Sequence, residues 1–296
     1  QNTSLLSEQR FSSTFTGDEF FLADHVMVGN KMLPGVAYLE MALTAVQHSM
    51  AIDRANSSAI QLKNVVWARP YIFDEHAKPL HIGLYPHSDT QINYSIYSCA
   101  KGEEKLVHSQ GLMLLHQAVN PSIVNLTALQ NRLNNRLEGS ACYAQFHALA
   151  MDYGAGHQGL NTLYFGASES DQPQVLAKLT LPKSVADTFN QYTAHPSLLD
   201  SALQACVGLL FAADVSAERA AKPSLPFALD NLQLLAPCQT TMWAWIRYAE
   251  GGNNGKVQKL DIDLCDEQGQ VCVHLKGFSS RVVDNADTAQ QTADLL

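Results

Sequence analysis

The sequence lacks several features that would place it in a class at once. No run of eighteen apolar residues occurs, and the most apolar helical stretch, residues 197–213, is interrupted by Asp200 and Gln204. A membrane-spanning helix is therefore excluded. There is no block of Lys or Arg; 19 basic residues stand against 28 acidic ones, a net charge of −9. Without a cationic surface to displace counterions, autonomous nucleic-acid binding is not expected. Net charge does not exclude an acidic partner met through a local basic patch. The six cysteines include no close CxxC pair, so they read as reduced, mostly buried thiols instead of a disulfide scaffold or zinc site. His76, His81 and His87 lack the i, i+4 helical spacing of a metal site, and no metal is expected. Charged residues are scarce, at 16% against 46% apolar, which excludes an intrinsically disordered chain. At 296 residues the chain can bury one large core or two ordinary ones. No signal-peptide pattern follows Gln1, and Asp284 to Ala293 is polar. The reading is a piece of a longer, cytoplasmic protein.

What is present reads as one grammar used twice. Each half opens with a histidine loop, enters an apolar helix and continues into strands that end in a hairpin. In the first half Val36, Leu39, Leu43 and Val46 recur at helical spacing and predict a helix over 36–50. Strands are expected at 92–99 and 105–115, turning through Lys101-Gly102-Glu103. In the second half Leu199, Leu203, Cys206 and Leu210 predict a helix over 197–211. Its hairpin pairs 259–265 with 271–275 through Glu267-Gln268-Gly269. The offsets from His25 to Gly102 and Gly111 nearly equal those from His195 to Gly269 and Gly277, which favours an internal duplication. The expected organisation is a first unit over 1–120, a linker over 121–136, a second unit over 137–284 and a polar tail over 285–296. Each unit is an α+β arrangement, an antiparallel sheet wrapped around one nearly all-apolar helix. Side by side, the two could share one continuous sheet.

Three segments carry residue types suited to chemistry. The first runs from Asp24 and His25 through Gly29 to Pro34 and Gly35, immediately before the first helix. Proline is tolerated in a first helical turn, and the free N–H groups there can hold a developing oxyanion. The plain alternative is a loop histidine before an ordinary helix start. The second is His195-Pro196-Ser197 followed by Asp200 and Gln204, which share one face of an apolar helix. A carboxyl in that setting must be paired or protonated, unless the pair simply faces solvent. The third is Tyr153-Gly154-Ala155-Gly156-His157-Gln158-Gly159, a loop able to bring backbone and a phenol close to a ligand, or else a glycine-rich turn.

Together these segments resemble the dehydratase domains of modular polyketide synthases. His25, Gly29 and Pro34 match a His-x3-Gly-x4-Pro signature, and Asp200 with Gln204 matches Asp-x3-Gln/His behind a His-Pro pair. Tyr153-Gly154 matches the family's Tyr-Gly loop, and Leu225-Pro226-Phe227 a Leu-Pro-Phe element. The wording from Leu33 to Glu40 and at His157-Gln158-Gly159 is similar to bacterial synthases without built-in acyltransferases. The loop departs from the usual pattern at Ala155, where a proline is customary, and at His157, where an aromatic is customary; both bear on loop shape and substrate preference.

The resemblance implies a double hotdog fold and loss of water from a 3-hydroxyacyl thioester carried on the phosphopantetheine arm of an acyl carrier protein. In that reading His25 is the base, and Asp200 is an acid kept protonated by apolar surroundings. The Gly35 N–H holds the enolate oxygen, Gln204 orients Asp200, and Tyr153 sits near the leaving hydroxyl. Gly29, Pro34, Gly154, Leu225, Pro226 and Phe227 line the acyl channel, and His195 is structural. No cofactor beyond the carrier arm is implied; neighbouring synthase domains and a homodimer are. The rivals are a pyran-forming cyclase, a double-bond isomerase (disfavoured by the presence of Asp200) and a catalytically silent scaffold or carrier-docking domain.

Overall fold

Apolar residues at period 2 or 3.6 account for nearly every element of the computed structural model, which describes residues 1–4, 9–53, 60–74, 79–99, 104–116, 119–168, 172–212, 224–250 and 259–282. The expected turn at 101–103, His76 and the polar tail lie outside the described residues. The first half gives β1 (Gln9–Ser13), α1 (Phe20–Ala23), β2 (His25–Met27), β3 (Asn30–Met32) and α2 (Gly35–Met50). It continues through β4 (Ile60–Trp67), β5 (Ile72–Phe73), β6 (Leu80–Ser88), β7 (Gln91–Ser98) and β8 (Leu106–Leu115). Next come α3 (Leu126–Arg132), β9 (Asn135–Glu138), α4 (Gly139–Ala148) and β10 (Met151–Tyr153). A single 3₁₀ turn, Ala155–His157, leads to β11 (Leu160–Ala167), β12 (Pro173–Thr180) and α5 (Pro196–Gln204). The chain then forms α6 (Gly208–Ala212), β13 (Ser224–Leu234), β14 (Thr241–Tyr248), β15 (Leu260–Cys265) and β16 (Val271–Val282).

Among the described residues twelve strands form one sheet in the order β1-β6-β7-β8-β4-β13-β16-β15-β14-β12-β11-β9. The seam between the halves is the antiparallel pair β4–β13, with Leu62 opposite Leu232. Outward from that seam the halves repeat one another. Each runs from the first strand after its central helix, through the last strand of its hairpin, to a strand that precedes the helix. Gly111 and Gly277, matched by offset in the sequence, fall in the corresponding strands β8 and β16. The chain is thus an α+β protein of two helix-in-sheet units sharing one sheet.

The predicted stripe of α2 is fully enclosed: Val36, Leu39, Leu43 and Val46 are 0–1% exposed. Burying each such side chain contributes about 1.5–3 kcal/mol relative to leaving it in water. Ala51, at φ 52°, ends the helix in the left-handed region. α2 packs against α5, the equivalent helix of the other half. The buried Glu40 carboxylate of α2 accepts hydrogen bonds from the Thr193 and Ala194 N–H groups, at 2.8 and 2.9 Å, just ahead of α5.

The second helix differs from the expected single run. It stops at Gln204, tightens into a 3₁₀ turn over Ala205–Val207 and resumes as α6. Gly208 explains the change: a Cβ there would lie 2.8 Å from Val175 and 2.9 Å from Leu163, so the chain comes down onto β11 and β12. The buried face is Leu198, Leu199, Ala202, Ala205 and Leu209, and the expected Leu203, Cys206 and Leu210 are only half-buried. The 121–136 segment is also more structured than a linker. It contains α3 and the start of β9, and Leu129 and Leu133 pack with Leu176, Trp243 and Trp245 on the second half's sheet.

A second, four-stranded sheet, β10-β2-β3-β5, was not anticipated. Its β2 and β3 form a hairpin whose turn residues Val28 and Gly29 both have positive φ, 51° and 78°, the geometry of a type I′ turn. On its other edge β2 pairs with β10 of the second half, setting His25 opposite Tyr153. This small sheet joins the histidine loop of one half to the Tyr-Gly loop of the other.

Candidate active site

His25 starts β2 and is buried. Its Nδ1 lies 2.7 Å from the Met32 carbonyl oxygen. A carbonyl can only accept, so the proton sits on Nδ1 and Nε2 carries a lone pair. The β2–β3 hairpin sets this tautomer, because Met32 ends the partner strand. Nε2 hydrogen-bonds to none of the described residues. Burial pushes the imidazole down from 6.5 to about 4; Asp200 opposes this and His157 reinforces it. At neutral pH His25 is an uncharged base.

Asp200 projects from α5 and is 5% exposed. Both of its hydrogen bonds fall on one oxygen: Oδ2 takes the Gln204 amide at 2.7 Å and meets His157 Nδ1 at 3.2 Å. Gln204 is itself oriented. Its Nε2 also donates to the His157 carbonyl at 3.1 Å, and its Oε1 accepts from the Tyr143 hydroxyl at 3.0 Å. The expectation that apolar surroundings keep Asp200 protonated needs correction. Burial does push the carboxyl up, but the hydrogen bonds from His157 and Gln204 and the nearby His157 and His25 imidazoles together outweigh it, and the net direction is down.

The Tyr-Gly loop lies between these two groups. Asp24, adjacent to His25, accepts the Gly154 N–H on its carbonyl at 2.8 Å and the Gly156 N–H on Oδ2 at 2.6 Å. A Cβ at Gly154 would fall 2.1 Å from Asp24 Oδ1, so only glycine permits this clasp. From the opposite side the Ser197 hydroxyl of α5 donates to the Gly156 carbonyl. The Tyr153 ring stands edge-on to His25 at 5.6 Å between centroids. Burial holds its phenol well above the usual value. His157, fully buried, lies 5.5 Å from His25 ring to ring and hydrogen-bonds Asp200. His25 of one half and Asp200 of the other thus border the same imidazole, that of His157.

Gly35 opens α2, and no side chain caps that helix entrance. Its carbonyl accepts from Trp67 Nε1 at 2.9 Å. A Cβ on Gly35 would meet Pro226 at 2.7 Å, so the Leu-Pro-Phe strand presses directly on the helix entrance. Pro34 is buried, and Leu225 and Pro226 are half-buried.

Two expected channel residues sit elsewhere. Gly29 is at the exposed hairpin tip, where an added Cβ would meet nothing within 4 Å, because its role is the positive φ of the turn. Phe227 occupies the β-bulge between Pro226 and Ala228, is 39% exposed and faces the Arg281 guanidinium at 5.8 Å. The bulge turns its side chain outward.

His195 caps α5. Its Nδ1 accepts the Ser197 N–H at 3.2 Å, and its Nε2–H is 3.0 Å from the Thr188 hydroxyl, which donates to Val185. Both ring nitrogens are engaged, in contrast to His25. Sequence reasoning missed Trp67 and Tyr143, and it placed Asp24 and His157 in the chemistry-bearing segments without giving either a role in the site. No local spacing marks them; their partners lie far along the chain. Among the described residues no cluster of His, Cys, Asp or Glu is arranged to hold a metal ion. Among the described residues no helix is long and apolar enough to cross a membrane.

Comparison with known proteins gives one family. Residues 122–290 match the family described as polyketide synthase dehydratase N-terminal domain, and residues 1–99 match the polyketide synthase dehydratase domain. Polyketide synthase PksM of Bacillus subtilis is 41% identical over 96% of this chain, which spans 7% of that protein's length. PksN of the same organism is 42% identical over 96% of the chain and 5% of its own length. A dehydratase domain of a Brevibacillus brevis synthase of the trans-acyltransferase type superposes with a TM-score of 0.87 at 48% identity, covering 96% of this chain and 97% of that one. A crystal structure of the RzxB dehydratase domain from Pseudomonas fluorescens gives 0.81 at 28% identity, covering 95% and 97%. With both halves matched and the double hotdog architecture in common, the chain belongs to the dehydratase domains of polyketide synthases, a family of hydro-lyases.

Proposed function

We propose that this domain removes water from a 3-hydroxyacyl thioester delivered on the phosphopantetheine arm of an acyl carrier protein, giving the 2-enoyl thioester. The observation that carries the reading is the complementary state of two groups from opposite halves. His25 has its proton fixed on Nδ1 and a free lone pair on Nε2, and Asp200 has its hydrogen bonds on Oδ2 and a free Oδ1. His25 Nε2 takes the α-proton. The thioester oxygen gains charge against the Gly35 N–H at the uncapped start of α2, where helix N–H groups favour an anion. Electrons from the α-carbon form the double bond as the C–O bond at the β-carbon breaks. Asp200 Oδ1 protonates the departing hydroxyl, which leaves as water. His25 ends protonated and Asp200 ionised, and release of the imidazolium proton to solvent returns the pair to the neutral imidazole and carboxylate of the substrate-free domain.

Asp200 is held ionised before substrate arrives, so it takes up one proton from solvent as the entering acyl chain strips the carboxylate of its remaining water. The Tyr153 phenol stands beside His25, suited to orienting the β-hydroxyl. The step as written uses protein groups and the thioester alone. Neighbouring synthase domains, a homodimeric assembly and a cytoplasmic setting belong to the same proposal, by kinship with multidomain synthases.

The test offers a synthetic 3-hydroxyacyl thioester and follows product mass and alkene formation. Loss of one water is expected. A mass-neutral ring or a migrated double bond formed from a supplied enoyl thioester, without dehydration, would favour a cyclase or isomerase. No reaction on any carrier-bound hydroxyacyl chain would favour a docking role.

A further inference from the structure

The imidazole of His157 is fully buried, and its Nε2 has no hydrogen-bond partner among the described residues. A buried polar atom left unpaired is unfavourable. An apolar ring would fill the space between Phe20 and His25, at 5.8 and 5.5 Å from its centroid, without that penalty. Nor does the fold need the side chain to hold the loop. Gln204 and Tyr143 bind the His157 carbonyl, and Asp24 and Ser197 bind Gly156. The side chain's one hydrogen bond is Nδ1 to Asp200 Oδ2, at 3.2 Å. An orphaned lone pair is tolerated more readily than an orphaned N–H, so the proton is on Nδ1 and His157 is the donor.

We propose that His157 is a positioning residue for the acid: its Nδ1–H and the Gln204 amide together occupy Oδ2 of Asp200, so the acidic proton is carried on Oδ1, the oxygen left for the β-hydroxyl. This rests on the dehydratase reading of Asp200 as the acid.

A donor to the ionised form of a carboxyl lowers its pKa, so His157 also sets where the acid loses its proton. The other groups facing Asp200 are His25 from β2, Tyr153 from β10, Tyr143 from α4 and Gln204 on its own helix. His195 faces His157 from the α5 cap. Of the groups facing Asp200, Gln204 and His157 hydrogen-bond it.

The experiment compares wild type with His157→Phe, which removes the donor and keeps a planar ring, and with His157→Asn, whose side-chain amide keeps an N–H near the Nδ1 position without titrating near neutrality. The pH dependence of kcat is read on a 3-hydroxyacyl thioester. In His157→Phe the high-pH limb moves up by about one unit, so that well above the wild-type limb the variant keeps about tenfold more of its maximal rate. KM stays within about twofold, and His157→Asn keeps the wild-type limb. An unmoved limb in His157→Phe, or the same shift in both variants, would overturn the proposal. A ¹³C-carboxyl NMR titration of Asp200 in the three proteins reads the same ordering without turnover. If the resonance shifts as expected while wild type forms no enoyl product, the dehydratase reading fails and the Oδ2 assignment stands.

Discussion

Acidification should destabilise this domain through its buried histidines before it titrates Asp200 or Asp263. His25, His108 and His195 are each no more than 5% exposed, and burial pushes each from 6.5 to about 4. The folded pKa lies below the unfolded one, so between those values the unfolded chain binds more protons. Stability therefore falls as pH drops through 6.5 and stops falling near 4. At pH 5 each histidine removes about 2 kcal/mol relative to pH 8, and the three together about 6 kcal/mol. That is a large share of a domain stability of about 5–15 kcal/mol. Asp200 and Asp263 are held below the ordinary carboxylate value of 3.8, and the stability they contribute is lost only on going lower. They do not enter this window.

The measurement is urea denaturation at pH 8, 6.5 and 5. His108 supplies an internal control, because its hydrogen bonds run to Ser98 and the Arg69 carbonyl and not to His25 or Asp200. His108→Gln keeps an acceptor for Ser98 but does not titrate, and should lessen the loss at pH 5 by about 2 kcal/mol. A wild-type stability that stays flat from pH 8 to 5, or a His108→Gln variant that loses as much as wild type, would refute the reasoning.

Other consequences follow from single contacts. Glu40→Ala leaves the buried N–H groups of Thr193 and Ala194 without their acceptor and should lower stability by about 2–3 kcal/mol, with Glu40→Gln recovering part of it, read by the same denaturation. Gly154→Ala places a methyl group 2.1 Å from Asp24 Oδ1 and breaks the clasp between the histidine and Tyr-Gly loops. It should destabilise by about 1–3 kcal/mol and lower kcat about tenfold or more, because His25 and His157 are positioned across that clasp.

Legibility in the sequence followed the range over which each signal acts. The α2 stripe is a local periodicity and the hairpin of β15 with β16 a local turn signal, and both appear almost where expected. The end of α5 was misread because Gly208 matters through its approach to β11 and β12, which helical spacing does not encode. The small sheet escaped notice because strands of two or three residues carry no measurable alternation. For Asp200 the apolar helix correctly signals burial. The ionisation state, however, is set by His157, His25 and Gln204 acting together against burial, and His157 belongs to the Tyr-Gly loop, whose proximity only the folded sheet creates. His25 and Asp200 were visible because each sits in a recognisable short motif. Tyr143 and Trp67 sit in none.

The central claim is that His25 and Asp200 act as one unit from opposite halves, and the dehydration rates of His25→Ala, Asp200→Asn and the double variant, each checked for an unchanged Tm, test it most directly. Each single change should lower kcat by about 10²–10⁴-fold, and the double variant should be no slower than the slower single one. A single variant that keeps more than about a tenth of the wild-type rate, or a double variant slowed by the product of the two effects, would contradict the account.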